Sequence, residues 1–176
     1  MKEHMAKPTS GSPALEIRFQ GSLIVIAPAT VGDAREILAL QKLAYQSEAQ
    51  IYQDYTIPPL TQTLEEIEAD FERQLFLKAS ANGQIVGSVR AYAQQETCFI
   101  GRLIVHPDYQ NRGIGSQLMR EIEKRFPQVK RYELFTGSRS ERNLHLYQKL
   151  GYKIFRDERI SEKVTLVFLE KCVQQM

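Results

Sequence analysis

The chain of 176 residues has little of what marks secreted, metal-binding or membrane proteins. Its two cysteines, Cys98 and Cys172, are too few for a disulfide framework and lack metal-ligand spacing, so we expect free thiols and no bound metal. No apolar run approaches the roughly 20 residues that span a bilayer, and the N-terminus lacks the apolar core of a secretory signal. We therefore expect a cytoplasmic protein with no membrane partner.

An excess of charge of one sign is also missing. The sequence has 23 basic and 21 acidic residues, and its net charge of +2 gives no general attraction to nucleic acid. Lys124, Arg125, Lys130 and Arg131 form a basic group, but acidic residues interleave and no aromatic platform accompanies them. We interpret this group as a solvated face and predict no nucleic-acid partner, with an RNA-associated protein as the weaker alternative.

What is present indicates a single domain over residues 23–170, because 43% hydrophobic content at this length can form one substantial core. Residues 7–13 have a linker composition, and residues 15–22 resemble a viral 3C-type protease site. We interpret residues 1–22 as a leftover expression segment or a flexible arm and exclude them from the fold. An arm that folds as an added strand is the alternative. Residues 171–176 are interpreted as a polar tail.

Hydrophobic periodicity predicts the order βααβββαβαββ. Short β-branched or alternating runs predict strands at 23–26, 76–80, 84–93, 98–105, 132–136, 152–156 and 164–169. Apolar repeats of helical spacing predict the helices, and Thr30 with Asp33 and Thr63 with Glu66 form capping pairs before the first two. The Asn82-Gly83 pair predicts a hairpin turn. We expect an α/β fold with a mixed, mostly antiparallel sheet and helices on both faces.

The most informative stretch is a strand, a short loop and a helix. An apolar strand ends at Pro107, the loop contains Gly113 and Gly115, and Ile114 starts an apolar helical repeat. The first amides of a helix have no partner inside it, so they form a site for phosphate oxygens where glycine lets the ligand approach closely. Taken alone, a strand-to-helix turn without a ligand is the simpler interpretation. The glycine spacing excludes a dinucleotide fingerprint, and the Walker Gly-Lys-Ser/Thr is absent.

Residues 110–115 read Gln-Asn-Arg-Gly-Ile-Gly and fit the pattern Gln/Arg-x-x-Gly-x-Gly/Ala. With this motif the chain resembles the GNAT superfamily of acyl-coenzyme A dependent N-acyltransferases. Residues 143–152 are similar to the family's second pattern, Asn-x-x-x-Tyr-x-x-x-Gly-Tyr/Phe. The resemblance implies that strand 98–105 splays from strand 132–136 and that acetyl-coenzyme A is the co-substrate. It assigns cofactor contacts to Leu103, Ile104, Val105, Gln110, Asn111, Arg112, Gly113, Ile114, Gly115, Ser116, Asn143 and Tyr147.

The resemblance also implies the chemistry. An amine attacks the thioester directly, Asn143 contacts the cofactor arm, and Tyr147 protonates the departing thiolate. A tyrosine that merely packs in the core is the alternative interpretation of Tyr147. Neither cysteine has an arrangement that supports a covalent route.

The acceptor is predicted to lie against residues 45–60, where aromatic and acidic residues alternate before an extended Pro58-Pro59 segment. We assign substrate contacts to Tyr45, Glu48, Tyr52 and Asp54, and prefer Glu48 over Asp54 and Glu96 as general base. Such a wall suggests a cationic acceptor, either a small amine or a peptide amine. The alternative function is a catalytically silent acetyl-coenzyme A sensor. Members of the family are often dimers, and the last strand with residues 171–176 could pair across a subunit boundary, but the sequence leaves the oligomeric state open.

Overall fold

The computed structural model describes residues 13–173, which form a mixed sheet of eight strands with helices on both faces. The strands are β1 (Leu15–Phe19), β2 (Ser22–Pro28), β3 (Leu75–Ala81), β4 (Gln84–Gln94), β5 (Thr97–Val105), β6 (Arg131–Gly137), β7 (Lys153–Arg159) and β8 (Thr165–Cys172). The helices are α1 (Ala34–Ala44), α2 (Gln46–Tyr52), α3 (Pro58–Thr61), α4 (Leu64–Arg73), α5 (Ile114–Lys124) and α6 (Glu141–Lys149). The strands lie in the order β1-β2-β3-β4-β5-β6-β8-β7, which confirms the predicted fold class.

Helices cover both sides of the sheet because each has one apolar stripe to bury. Ile37 of α1 and Ile67 of α4 pack with Ile104 of β5 in one cluster. Leu118 and Ile122 of α5 belong to the larger cluster. Within residues 13–173, no helix combines the length and the apolar character needed to cross a membrane.

The N-terminal segment requires a correction, because residues 15–22 belong to the sheet. Leu15–Phe19 forms the edge strand β1 and pairs antiparallel with β2, with Ile17 opposite Ile24. Gln20 and Gly21 form the turn with φ of 47° and 83°. Alternating Leu15 and Ile17 pack against the core, which is the pattern of a half-buried strand. Residues 15–19 therefore form an added strand, which was the alternative interpretation. Whether residues 1–22 are a leftover expression segment stays a prediction.

The segment between α1 and α4 requires a second correction. It was expected to be loose and extended, but it contains the helices α2 and α3. Pro58 and Pro59 lie in the first turn of α3, where a missing N–H leaves no helical hydrogen bond unmade. The predicted capping box of α4 is present: Thr63 N donates to Glu66 Oε2 at 2.8 Å, and Glu66 N donates to Thr63 Oγ1 at 3.2 Å.

The C-terminal boundary also moves. Lys171 and Cys172 were expected in a tail, but they continue β8 and pair with Tyr132 and Arg131. Val173 follows the end of β8, and residues 174–176 lie outside the described residues.

Two irregularities in β5 shape the site. β5 runs parallel to β6 and pairs with it only from Thr97 to Phe99, so the strands diverge beyond that point, as predicted. On its other edge β5 has a β-bulge against β4, where Val89 stands opposite both Arg102 and Leu103. Arg102 has a left-handed backbone with φ 49°.

Candidate active site

The gap between the diverging strands opens into a cleft of about 970 Å³. Its walls come from α2, the far half of β5, the loop before α5, the end of β6 and the buried face of α6. Because β5 and β6 do not pair here, backbone groups of β5 face the cleft without a strand partner. His106 N donates to Val86 O at 2.8 Å, so strand alternation turns the amides of Val105 and Leu103 toward the cleft.

The loop before α5 presents backbone amides to one end of this cleft. Asn111 and Gly113 have left-handed φ of 60° and 77°, which aligns the chain with the start of the helix. The first helical bond runs from Gln117 N to Gly113 O at 3.0 Å, so the amides of Ile114, Gly115 and Ser116 precede the hydrogen-bonded ladder. These three residues line the cleft. Their amides and the positive end of the helix dipole suit an anion such as a diphosphate.

The two glycines differ in what they provide. Gly113 needs its left-handed backbone, and the position of a Cβ there would be in open space. Gly115 instead leaves space in the cleft between α6 and β5. A Cβ at this residue would lie 3.5 Å from Leu146 Cδ2 and 3.7 Å from Val105 Cγ2. A side chain at residue 115 would therefore narrow the cleft between α6 and β5.

The structure brings most of the predicted cofactor residues to the cleft, but not Arg112. The Arg112 guanidinium lies 4.9 Å over the ring of Tyr109 and does not line the cleft. Gln110 joins the walls, since its Nε2 donates to Val105 O at 3.1 Å and its Oε1 accepts from Arg142. Arg142, which sequence reasoning missed, is thus the basic residue at this rim. Ile104 lines the cleft but packs mainly in the cluster under α1.

Tyr147 of α6 lines the cleft and is 7% exposed. Burial, followed by the nearby Tyr45 and Glu48, raises the pKa of its phenol above the ordinary 10.0. The phenol is therefore protonated at neutral pH, which is the form that can donate a proton.

Glu48 is held at the same place by α6 and the residue before it. Ser140 Oγ donates to Glu48 Oε2, and Asn143 Nδ2 lies 3.5 Å from Glu48 Oε1 and 3.3 Å from Thr136 Oγ1. The carboxylate therefore has a fixed orientation toward the cleft. Ser140 was not predicted, although a serine before a helix is a recognisable signal, because its contact with α2 is long-range.

Of the other acceptor residues, Tyr52 is buried and structural. Its hydroxyl accepts from Arg139 N at 2.8 Å and lies 3.2 Å from Ser140 Oγ. Tyr52 therefore fixes α2 to the turn after β6 instead of presenting an open surface to a substrate.

Three further predicted residues have distinct environments. Tyr45 lines the cleft, and burial raises its phenol pKa despite the nearby Arg102. Asp54 lines it too, but its carboxylate accepts from Thr56 N at 2.9 Å and Thr56 Oγ1 at 2.6 Å, and these bonds lower its pKa. Glu96 lies away from the cleft in an ion pair with Lys130 at 2.6 Å, so it is not placed to act as the base.

Carboxylates pair with three members of the basic group near α5, namely Lys124, Lys130 and Arg131. Lys124 lies 2.6 Å from Glu121, and Arg131 contacts both Glu133 and Glu170. Arg125 is 3% exposed, so the prediction of a solvated face is wrong for this residue. Within residues 13–173 no group of three or more His, Cys, Asp or Glu side chains is arranged to hold a metal ion.

Known proteins resemble the chain at the level of sequence. It is 32% identical over 120 residues to UPF0157 protein YqkA of Bacillus subtilis, a match that covers 68% of this chain and 34% of that protein. The chain thus spans about a third of the length of this curated relative.

Solved structures share the fold. An acetyltransferase of the GNAT family from Streptococcus pneumoniae is 25% identical with a TM-score of 0.68, covering 85% of this chain and 99% of that one. A PaiA N-acetyltransferase from Thermoplasma acidophilum, solved in complex with coenzyme A, is 20% identical with a TM-score of 0.62, covering 85% and 99%. The model of the acetyltransferase (GNAT) family matches residues 36–152, which span the amide-lined turn and Tyr147. The chain therefore belongs to the GNAT acetyltransferase family.

Proposed function

We propose that this protein transfers an acetyl group from acetyl-coenzyme A to a primary amine by direct attack on the thioester. Family membership supports acetyl transfer in general, and the presence of Tyr147 and Glu48 near each other in one cleft supports the direct route. That arrangement is the observation on which the proposal depends. A cytoplasmic location and a homodimer stay predictions. β8 lies between β6 and β7, however, so the last strand has no open edge with which to pair across a subunit boundary.

The cleft fits the co-substrate at both ends. The amides of Ile114, Gly115 and Ser116 would hold the diphosphate, since they have no partner in the helical ladder. The β5 amides at Leu103 and Val105 would pair with the amides of the pantetheine arm, as an added strand does at an open sheet edge. Val105 O already accepts from Gln110, so the Val105 N–H is the group left for the arm.

The proposed reaction needs one proton acceptor and one proton donor. The amine nitrogen forms a bond to the acetyl carbonyl carbon, and the bond from that carbon to sulfur breaks. Glu48 takes the proton that the amine loses, and Tyr147 gives its proton to the departing thiolate. A backbone N–H of β5 would polarise the carbonyl oxygen. The products are an N-acetyl amine and the free thiol of coenzyme A.

An acceptor screen tests this function. Purified protein with acetyl-coenzyme A is offered small amines and peptide amines, while thiol release and the mass of the acetylated amine are recorded. We expect release that depends on one class of amine. Tight binding of acetyl-coenzyme A with no acetylated product from any amine would instead support a sensor.

A further inference from the structure

Arg102 lies at the acceptor side of the cleft in an unusual backbone conformation. A left-handed backbone is costly for a residue with a Cβ in the middle of a strand, and such conformations concentrate at functional sites. The bulge breaks the alternation of β5 here, and Arg102 lines the cleft with its guanidinium beside the ring of Tyr45.

The charge of Arg102 has no counter-ion in the described part of the chain. None of the ion pairs within residues 13–173 includes Arg102. The adjacent buried arginine, Arg90, already has the nearby carboxylate, since its Nη1 lies 3.1 Å from Asp70 Oδ2. That carboxylate also accepts from Gln62 Nε2 at 2.8 Å. Arg73 Nη2 lies 3.5 Å from the other oxygen of Asp70, so this carboxylate is already engaged without Arg102.

The charge of Arg102 also acts on Arg90. Burial and then the charge of Arg102 lower the pKa of Arg90 to about 10, against the opposite effect of Asp70. An anion beside Arg102 would relieve this repulsion. Arg102 also lies beside Tyr45: its guanidinium carbon is 5.9 Å from the ring centroid, and it hydrogen-bonds the phenol, whose pKa Glu48 affects as well.

We propose that the acceptor carries a carboxylate as well as its amine and that Arg102 binds this carboxylate. Tyr45 is near two groups of opposite charge, Glu48 and Arg102. Glu48 would face the amine of the acceptor and Arg102 its carboxylate. A guanidinium can donate two parallel hydrogen bonds to a carboxylate, and such bonds are strong in a partly buried site. This inference rests on the proposed acetyl transfer and replaces a purely cationic acceptor by an amino acid or a similar zwitterion.

Matched acceptors test it. Each common amino acid is compared with its own carboxamide by kcat/KM for thiol release, in the unaltered protein and in Arg102→Met. We expect the unaltered protein to prefer the acid by about tenfold or more, as is typical of a charged hydrogen bond, and Arg102→Met to lose most of this preference. The amine of an acid and that of its carboxamide differ in reactivity. This difference cancels when the ratio of kcat/KM for acid over carboxamide in the unaltered protein is divided by the same ratio in Arg102→Met. Arg102→Lys should keep part of the preference for the acid. Arg120→Met is the control: Arg120 is an exposed arginine of α5, and its replacement should leave the preference unchanged.

A binding measurement separates this inference from the proposed function. N-acetyl amino acids and their carboxamides are titrated by calorimetry into protein saturated with coenzyme A, so turnover is not needed. Tighter binding of the acids that Arg102→Met abolishes supports the inference even if no amine is acetylated. Acetylation of amines with equal use of acids and carboxamides, or a preference unchanged in Arg102→Met, would overturn it while leaving acetyl transfer intact.

Discussion

Tyr52 lies so close to Gly137 that a Cβ at residue 137 would stand 2.1 Å from the Tyr52 hydroxyl oxygen. The missing side chain of β6 is therefore what lets the phenol reach Ser140 and Arg139 N. Glu48 lies one helical turn before Tyr52 on α2, so this contact also sets the position of the proposed base.

Gly137→Ala should destabilise the protein by about 2 kcal/mol, because the added methyl overlaps a buried ring. Urea unfolding measures the change. Tyr52→Ala should be destabilising too, but adding Gly137→Ala to it should cost little, which a double-mutant cycle detects. Gly101→Ala is the matched control, since a Cβ there meets no atom within 4 Å. Additive effects of the two changes would contradict the assigned contact.

Gly113→Glu should weaken coenzyme A binding by well over tenfold, because a carboxylate would stand beside the amides assigned to the diphosphate. Calorimetry gives the affinity. Gly83→Glu controls for backbone strain: Gly83 has the same φ of 77° and an equally open Cβ position, but lies in the β3–β4 turn. Equal losses in both variants would mean that strain, not charge, is responsible.

Tyr147→Phe should lower kcat by about 100-fold with little change in coenzyme A affinity, because it removes the proton donor but keeps the ring. Steady-state kinetics on an accepted amine provide the measurement. Tyr55→Phe makes the same change at a residue that is 59% exposed and should have no effect. An unchanged kcat in Tyr147→Phe would assign this tyrosine to packing.

Glu48→Gln should also lower kcat by about 100-fold, since the amide cannot accept the proton of the amine. Ser140→Ala should have a smaller effect, because it only releases the carboxylate from its fixed orientation. Ser140→Thr, which restores a hydroxyl, should recover part of the loss. If Ser140→Ala lowers stability but leaves kcat unchanged, Ser140 has no positioning role.

The stability of the protein should fall at alkaline pH. Burial raises the pKa of Cys98 from 9.0 to about 12 and the pKa of Tyr132 from 10.0 to about 12. Both groups ionise in the unfolded chain at lower pH than in the folded one, so their contribution is complete below pH 9 and is lost as the pH rises toward 12. Urea unfolding at a series of pH values measures this decline. Stability that stays constant over that interval would contradict the assigned burial.

The same burial predicts how the two thiols react. At pH 8, Cys98 should resist a thiol reagent until the protein unfolds, because the thiol is buried and its raised pKa disfavours the thiolate. The exposed Cys172 should react at once. The labelled thiols are counted with and without urea, in the unaltered protein and in Cys172→Ser. The comparison shows which cysteine reacts in the folded protein. Rapid labelling of both thiols in the folded protein would refute it.

Sequence reasoning succeeded where the signal is local. The turn at residues 110–115 depends on glycine spacing and helix-start chemistry within six residues, and the Thr63–Glu66 box lies within one helical turn. It also predicted the divergence of β5 and β6, though only through the resemblance to the family.

It failed where the decisive partner is distant along the chain. Helix α2 has few apolar residues, and Tyr52 is buried only because Gly137, far away in sequence, leaves room for it. Ser140 meets Glu48 across 92 positions, which no local pattern reveals. The bulge at Arg102 arises from an extra residue in β5 relative to β4, and the strand reads as regular.

Gln20 and Gly21 occupy the tip of the β1–β2 hairpin, and both have a left-handed backbone. An endoprotease accommodates its target as an extended strand, so the bond between them can be cut only after β1 separates from β2. The rate of digestion would therefore report how often this edge of the sheet frays. If the chain is not cut, the result would indicate a stable β1–β2 hairpin. It would not show whether the first residues are native to the protein.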